Sequence, residues 1–163
     1  MPHILIVCTA NICRSPVAEG LLRRRLEDEF MDGWTVSSAG TWAVNERGAS
    51  QNSIVVMEQR GIDINDHVAR GVDAGMLREA DLILCMESSH AEALAVEFPE
   101  EAGGKVYMLS QMIGKRHDIV DPYGSPLEDY QRMAQELEQM LDKAWPRIKE
   151  LASANARLRW GLG

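Results

Sequence analysis

The stretch ILIVCTANICRSPVAEG, residues 4–20, decides how the rest of the chain is read. Its four apolar residues, Ile4 to Val7, form a run too short for a helix and unbroken by polar positions. That is the pattern of a strand buried on both faces of a parallel sheet. Ser15-Pro16 reads as a helix start, with serine as N-cap and proline at the first helical position. Val17, Ala18, Leu21, Leu22, Leu26 and Phe30 then predict one apolar helix face, opposite Arg23, Arg24, Arg25, Glu27, Asp28 and Glu29. Between strand and helix stand a cysteine, a short run of small or polar residues, and an arginine: Cys8 to Arg14.

Further along, WTVSSAG (34–40) predicts a second strand and SQNSIVVMEQRG (50–61) a helix closed by Gly61. DHVARGVD (66–73) is irregular, with a helix start at Asp73. DLILCM (81–86) predicts a third strand, SSHAEALAVEF (88–98) a helix and KVYMLS (105–110) a fourth strand. Leu127, Tyr130, Ala134, Leu137, Leu141, Trp145, Ile148 and Leu151 keep a stripe that predicts a long amphipathic closing helix, with Pro146 as the place for a kink. The tail, residues 152–163, is expected to fray. Strands alternating with helices imply one α/β domain over 1–163: a doubly wound, flavodoxin-like, four-stranded parallel sheet flanked by helices.

The chain is 45% hydrophobic and 26% charged, a globular balance. No apolar run approaches the roughly 20 residues of a membrane span, and the N-terminal run lacks the basic region and cleavage site of a signal peptide. Cys8, Cys13 and Cys85 show neither zinc spacing nor a disulfide framework, which suits a reducing cytoplasm and implies no metal. A formal charge of −8 argues against nucleic acid and anionic membranes as partners, while leaving room for a local anion pocket. The expected state is a cytoplasmic monomer.

In doubly wound sheets ligands sit beyond the carboxyl ends of the strands, which is where Cys8 falls. The loop Thr9, Ala10, Asn11, Ile12, Cys13 leads into a helix N-terminus, whose free N–H groups and dipole favour an anion. Curled tightly, it would form a phosphate-binding nest closed by the guanidinium fork of Arg14. The same positive surroundings would draw the Cys8 pKa below its free value of about 8.5. A thiolate under a bound phosphoryl group is a nucleophile in line with the ester bond, with no need of a cofactor.

With these residues, VCTANICRSPVAEG (7–20) resembles the signature of the low-molecular-weight protein tyrosine phosphatase family. SSAG (37–40), DHVAR (66–70), DLILCM (81–86) and DPYG (121–124) fall in that family's order, so the resemblance spans about residues 3–145. It implies a metal-independent phosphatase acting on phosphotyrosine in proteins or peptides through a phosphocysteine intermediate. It implies Asp121 as the general acid, with Asp118 as the fallback, and Asn11, Ser15, Ser38 and His67 as braces of the loop. It also implies that Cys13 pairs with Cys8 on oxidation.

Ile12, Trp42 and Tyr123 are the expected walls of the substrate slot, Ile12 favouring the apolar ring of phosphotyrosine over phosphoarginine. Cys85, inside a buried strand, is expected to be inert. Ala10 stands where the family loop usually has glycine; if that position needs a positive φ, alanine would cost about 1 kcal/mol. The alternatives are a protein arginine phosphatase, an arsenate reductase of the same fold, and a non-catalytic phosphate-binding module.

Overall fold

The computed structural model describes residues 1–161. Four parallel strands, β1 (His3–Cys8), β2 (Thr35–Gly40), β3 (Leu82–Cys85) and β4 (Val106–Met108), form one sheet in the order β2-β1-β3-β4. The intervening helices are α1 (Arg14–Asp28), α2 (Gln51–Glu58), α3 (Ala74–Glu79) and α4 (Ser88–Glu97), and α5 (Leu127–Arg159) closes the chain.

Side chains alternate across a strand, so a central strand needs apolar residues at every position. In β1, Ile4 and Ile6 join the cluster built by α1, α2 and α5, whereas Leu5 and Val7 face the smaller cluster under α3 and α4. The unbroken apolar run of β1 is the sequence image of this two-sided burial. Because all four strands run the same way, Cys8, Gly40, Cys85 and Met108 end on one edge of the sheet.

Several boundaries differ from the sequence reading. Helix α1 begins at Arg14 with Cys13 as its N-cap, so Ser15 and Pro16 lie inside the first turn. Ser15 spends its hydroxyl on tertiary partners rather than on a cap, and proline is tolerated there because first-turn N–H groups have no helical acceptor. The helix stops at Asp28, leaving Phe30 exposed at φ 54 rather than on the apolar face. The fourth strand ends at Met108 and gives way to a 3-10 turn over Leu109–Ile113.

The closing helix runs without interruption past Pro146 and through the 152–159 segment expected to fray. Its last turn is held by the Arg159 guanidinium on both oxygens of buried Asp81, at 2.7 and 2.9 Å, and by Asn155 on the Asp81 carbonyl. A bidentate pair on a buried carboxylate supplies the anchor that a free end lacks. Residues 162 and 163 of the expected tail lie outside the described residues.

Candidate active site

Cys8 ends β1 and Arg14 opens α1, so the loop between them must reverse the chain within five residues. Its carbonyls are tied outward. Cys8 O accepts Thr41 N–H, Thr9 O accepts Trp42 N–H, Asn11 O accepts His67 Nε2–H, Ile12 O accepts Ser50 N–H and Cys13 O accepts the Ser53 hydroxyl. In a trans peptide the N–H points opposite to the C=O. Binding these carbonyls on the outside therefore turns the N–H edges inward, toward the cleft above Cys8.

Asn11 is the hub of this arrangement. It is fully buried and sits at φ 58, the left-handed region that asparagine enters more readily than most side chains. Its Nδ2 donates to Ser15 Oγ at 2.7 Å and Ser38 Oγ at 2.9 Å, and its Oδ1 accepts the Arg70 N–H at 3.0 Å. The positive φ lies at Asn11 and not at Ala10, so the alanine carries no such strain. Gly40 explains the strand-end SAG: a Cβ there would lie 2.3 Å from Thr9 O, so only glycine lets the second strand approach the loop this closely.

Asn11 N–H donates to Cys8 Sγ at 3.3 Å. Ser15 Oγ, already accepting from Asn11, has its own hydrogen left for the sulfur 2.9 Å away. These two contacts fix the sulfur at the cleft. Burial raises the pKa of Cys13, whose thiol lies 3.4 Å from Ser50 Oγ and 3.6 Å from the Tyr130 hydroxyl. Burial in β3 drives the Cys85 thiol upward as well, in keeping with an inert side chain on the other face of the sheet.

Arg14 is 2% exposed. One guanidinium nitrogen donates to Ile119 O at 2.7 Å and pairs with Glu87 at 3.0 Å; the other lies 3.7 Å from Asp121 and 3.4 Å from Thr9 Oγ1. Its Nε has no acceptor among the described residues. A buried charged donor left unpaired is costly unless an anion completes it.

Cys8, Thr9, Ala10, Ile12, Cys13 and Arg14 form the floor of a cleft of about 300 Å³, and Trp42, Val44, Arg47, Asp121 and Tyr123 stand at its sides. Trp42, Val44 and Tyr123 are exposed, and the Arg47 guanidinium lies 5.8 Å from the centre of the Tyr123 ring. The two candidate acids separate clearly. Asp121 faces the cleft, whereas Asp118 accepts the Ser88 N–H at 2.9 Å, at the start of α4. Asn11, Ser15, Ser38 and His67 come together at the loop, with Asn11 Nδ2 donating to both serines and His67 donating to the Asn11 carbonyl.

The sequence reading missed Glu87, His90, Arg47 and Arg70. The signal for the first two was ESSH directly after the third strand, since parallel strands deliver their following loops to one edge. Arg70 and Arg47 had no local signal.

Fold and cleft together define an α/β protein with a cysteine-arginine anion loop at the carboxyl edge of its sheet. The family model for "Low molecular weight phosphotyrosine protein phosphatase" matches residues 3–154. The low molecular weight protein-tyrosine-phosphatase Wzb of Salmonella typhimurium is 40% identical over 120 residues, covering 74% of this chain and 76% of that protein. A protein-arginine-phosphatase of Geobacillus stearothermophilus is 37% identical over 145 residues, covering 88% and 94%. The crystal structure of the low molecular weight protein tyrosine phosphatase from T. tengcongensis superposes with a TM-score of 0.85 at 38% identity, over 90% of this chain and 99% of that one. The chain belongs to the low molecular weight protein-tyrosine phosphatase family, and it is an enzyme.

Proposed function

We propose that the chain hydrolyses phosphotyrosine in proteins or peptides by two displacements at the Cys8 sulfur, without a metal. The observation that carries the reading is the single cleft that has Cys8 and Arg14 in its floor and Asp121 at its mouth, between the aromatic side chains of Trp42 and Tyr123. The phosphoryl oxygens take the inward N–H groups of Thr9, Ala10, Ile12, Cys13 and Arg14 and the Arg14 guanidinium, including its unpaired Nε. Cys8 attacks phosphorus as the bond to the tyrosine oxygen breaks, and protonated Asp121 gives its proton to the departing phenolate. The Asp121 carboxylate then takes a proton from water, which attacks the phosphocysteine, releases phosphate and restores the thiolate. Ser15 stabilises the sulfur in both steps.

Ile12 gives the floor an apolar contact suited to an aromatic ring. The similarity to a protein-arginine-phosphatase makes phosphoarginine the competing substrate to measure beside phosphotyrosine. An arsenate reductase would need a relay cysteine, and Cys85 is buried in β3 on the sheet face away from α1. Cys13 serves instead as the local partner of oxidised Cys8: once a peroxide has taken the nucleophile to a sulfenic acid, the Cys13 thiol displaces water to form a disulfide. The protein works as a monomer in a reducing compartment; among the described residues no helix is long and apolar enough to cross a membrane.

The test is phosphate release from a phosphotyrosine peptide in EDTA by wild type and Cys8→Ser. Expected is metal-independent turnover that falls on the order of 10⁵-fold or more in the variant. Equal activity of the two proteins, or a folded wild type that prefers phosphoarginine, would discard the reading.

A further inference from the structure

Among the buried titratable side chains that the mechanism leaves unused, one meets the loop at Thr9. His90, in the first turn of α4, is 3% exposed and reaches the anion loop at Thr9. Its Nδ1 accepts the Glu87 N–H at 3.1 Å, which leaves the hydrogen on Nε2. Nε2 lies 2.8 Å from Thr9 Oγ1 and 3.3 Å from a Glu87 carboxylate oxygen. Thr9 Oγ1 also receives an Arg14 N–H at 3.4 Å. A threonine oxygen has two lone pairs and one hydrogen. With both lone pairs occupied, by His90 and Arg14, the hydroxyl hydrogen is left to be donated, and Thr9 lines the cleft.

We propose that His90 is a positioning residue: its Nε2–H holds the Thr9 oxygen so that the Thr9 hydroxyl donates into the cleft, to an oxygen of the bound phosphoryl group. The inference rests on the cleft being the phosphoryl site. It adds a side-chain donor to the backbone nest, set by a residue outside the loop. The charged groups facing His90 are Arg14, Glu87, Asp118 and Asp121. Burial, then Arg14, brings the His90 pKa down to about 4, so the ring stays neutral and the Nε2–H tautomer persists at ordinary working pH.

Dissociation of inorganic phosphate, followed by calorimetry, and kcat/KM on a phosphotyrosine peptide test this in the full chain. Thr9→Val is expected to weaken phosphate binding about tenfold, and Thr9→Ser to stay within about twofold of wild type. His90→Leu should weaken binding by a factor similar to Thr9→Val, and add less than about twofold when combined with it. A histidine that only supports the fold would multiply its effect onto Thr9→Val, and that result overturns the proposal. So does a Thr9→Val variant that binds phosphate as wild type does, or a wild type that does not bind phosphate. Should His90→Leu fail to fold, His90→Gln keeps a donor near the Nε2 position; it is expected within about threefold of wild type, and a loss above about tenfold overturns the proposal. Wild type that binds phosphate but leaves the phosphotyrosine peptide intact would sink the proposed substrate and leave this inference standing.

Discussion

The floor of the cleft and its mouth are built in opposite ways. At the floor, Asn11, Arg14 and Ser15 are buried, and their polar side-chain atoms are held by one another and by Ser38, Arg70, Glu87 and Ile119, with Arg14 Nε open. At the mouth, Trp42, Val44 and Tyr123 are exposed, and the acid loop is tied by few contacts, such as Asp121 Oδ1 accepting the Tyr123 N–H at 3.1 Å. The phosphoryl group is the same in every substrate, so a preorganised floor stabilises each transition state without reorganising. The flanking residues differ from one substrate to the next, and a sparsely held mouth adapts to them.

If that contrast is right, damage to the floor and to the mouth should have different signatures. Asp121→Asn is expected to cost about 10²–10⁴ in kcat on the peptide and far less on an aryl phosphate whose phenol is acidic. Burst kinetics with the two substrates check it; an equal loss on both would mean that Asp121 does more than protonate the leaving group. Asn11→Ala removes three side-chain hydrogen bonds and leaves alanine at φ 58. It should lower stability by about 2–4 kcal/mol in urea titration and reduce turnover on good and poor leaving groups alike.

The pH dependence of stability probes the floor more gently. His90 has an ordinary value of 6.5 and a folded value of about 4, so between these the unfolded chain binds a proton that the folded chain refuses. Stability should therefore be full above pH 6.5 and decline as pH falls toward 4. Thermal melts of wild type and His90→Leu across this range measure the difference, and an equal decline in both would assign the slope to other groups. The smallest effect belongs to the mouth. Arg47→Ala, which removes the guanidinium over the Tyr123 ring, should change kcat/KM by less than about threefold and leave the melting temperature in place. A larger loss would show that the mouth is less loosely held than its exposure suggests.

The amino-acid sequence by itself determined the parallel α/β sheet, because two-sided burial writes itself into ILIV and DLILC as unbroken apolar runs. It also placed Cys8 and Arg14 on one short loop between a strand and a helix, the setting from which the proposed nucleophile and phosphate fork were read. Helix ends were less legible, because Ser15 is equally a cap or a tertiary donor until Asn11 and Cys8 are placed beside it. Tertiary structure alone decided that the strained position is Asn11, that Asp121 rather than Asp118 faces the cleft, and that Glu87 and His90 brace the loop. Each of these rests on partners far apart in the chain, brought to one edge because every strand of a parallel sheet ends there. Local patterns such as ESSH and DPYG name the candidates, and only the fold brings them together.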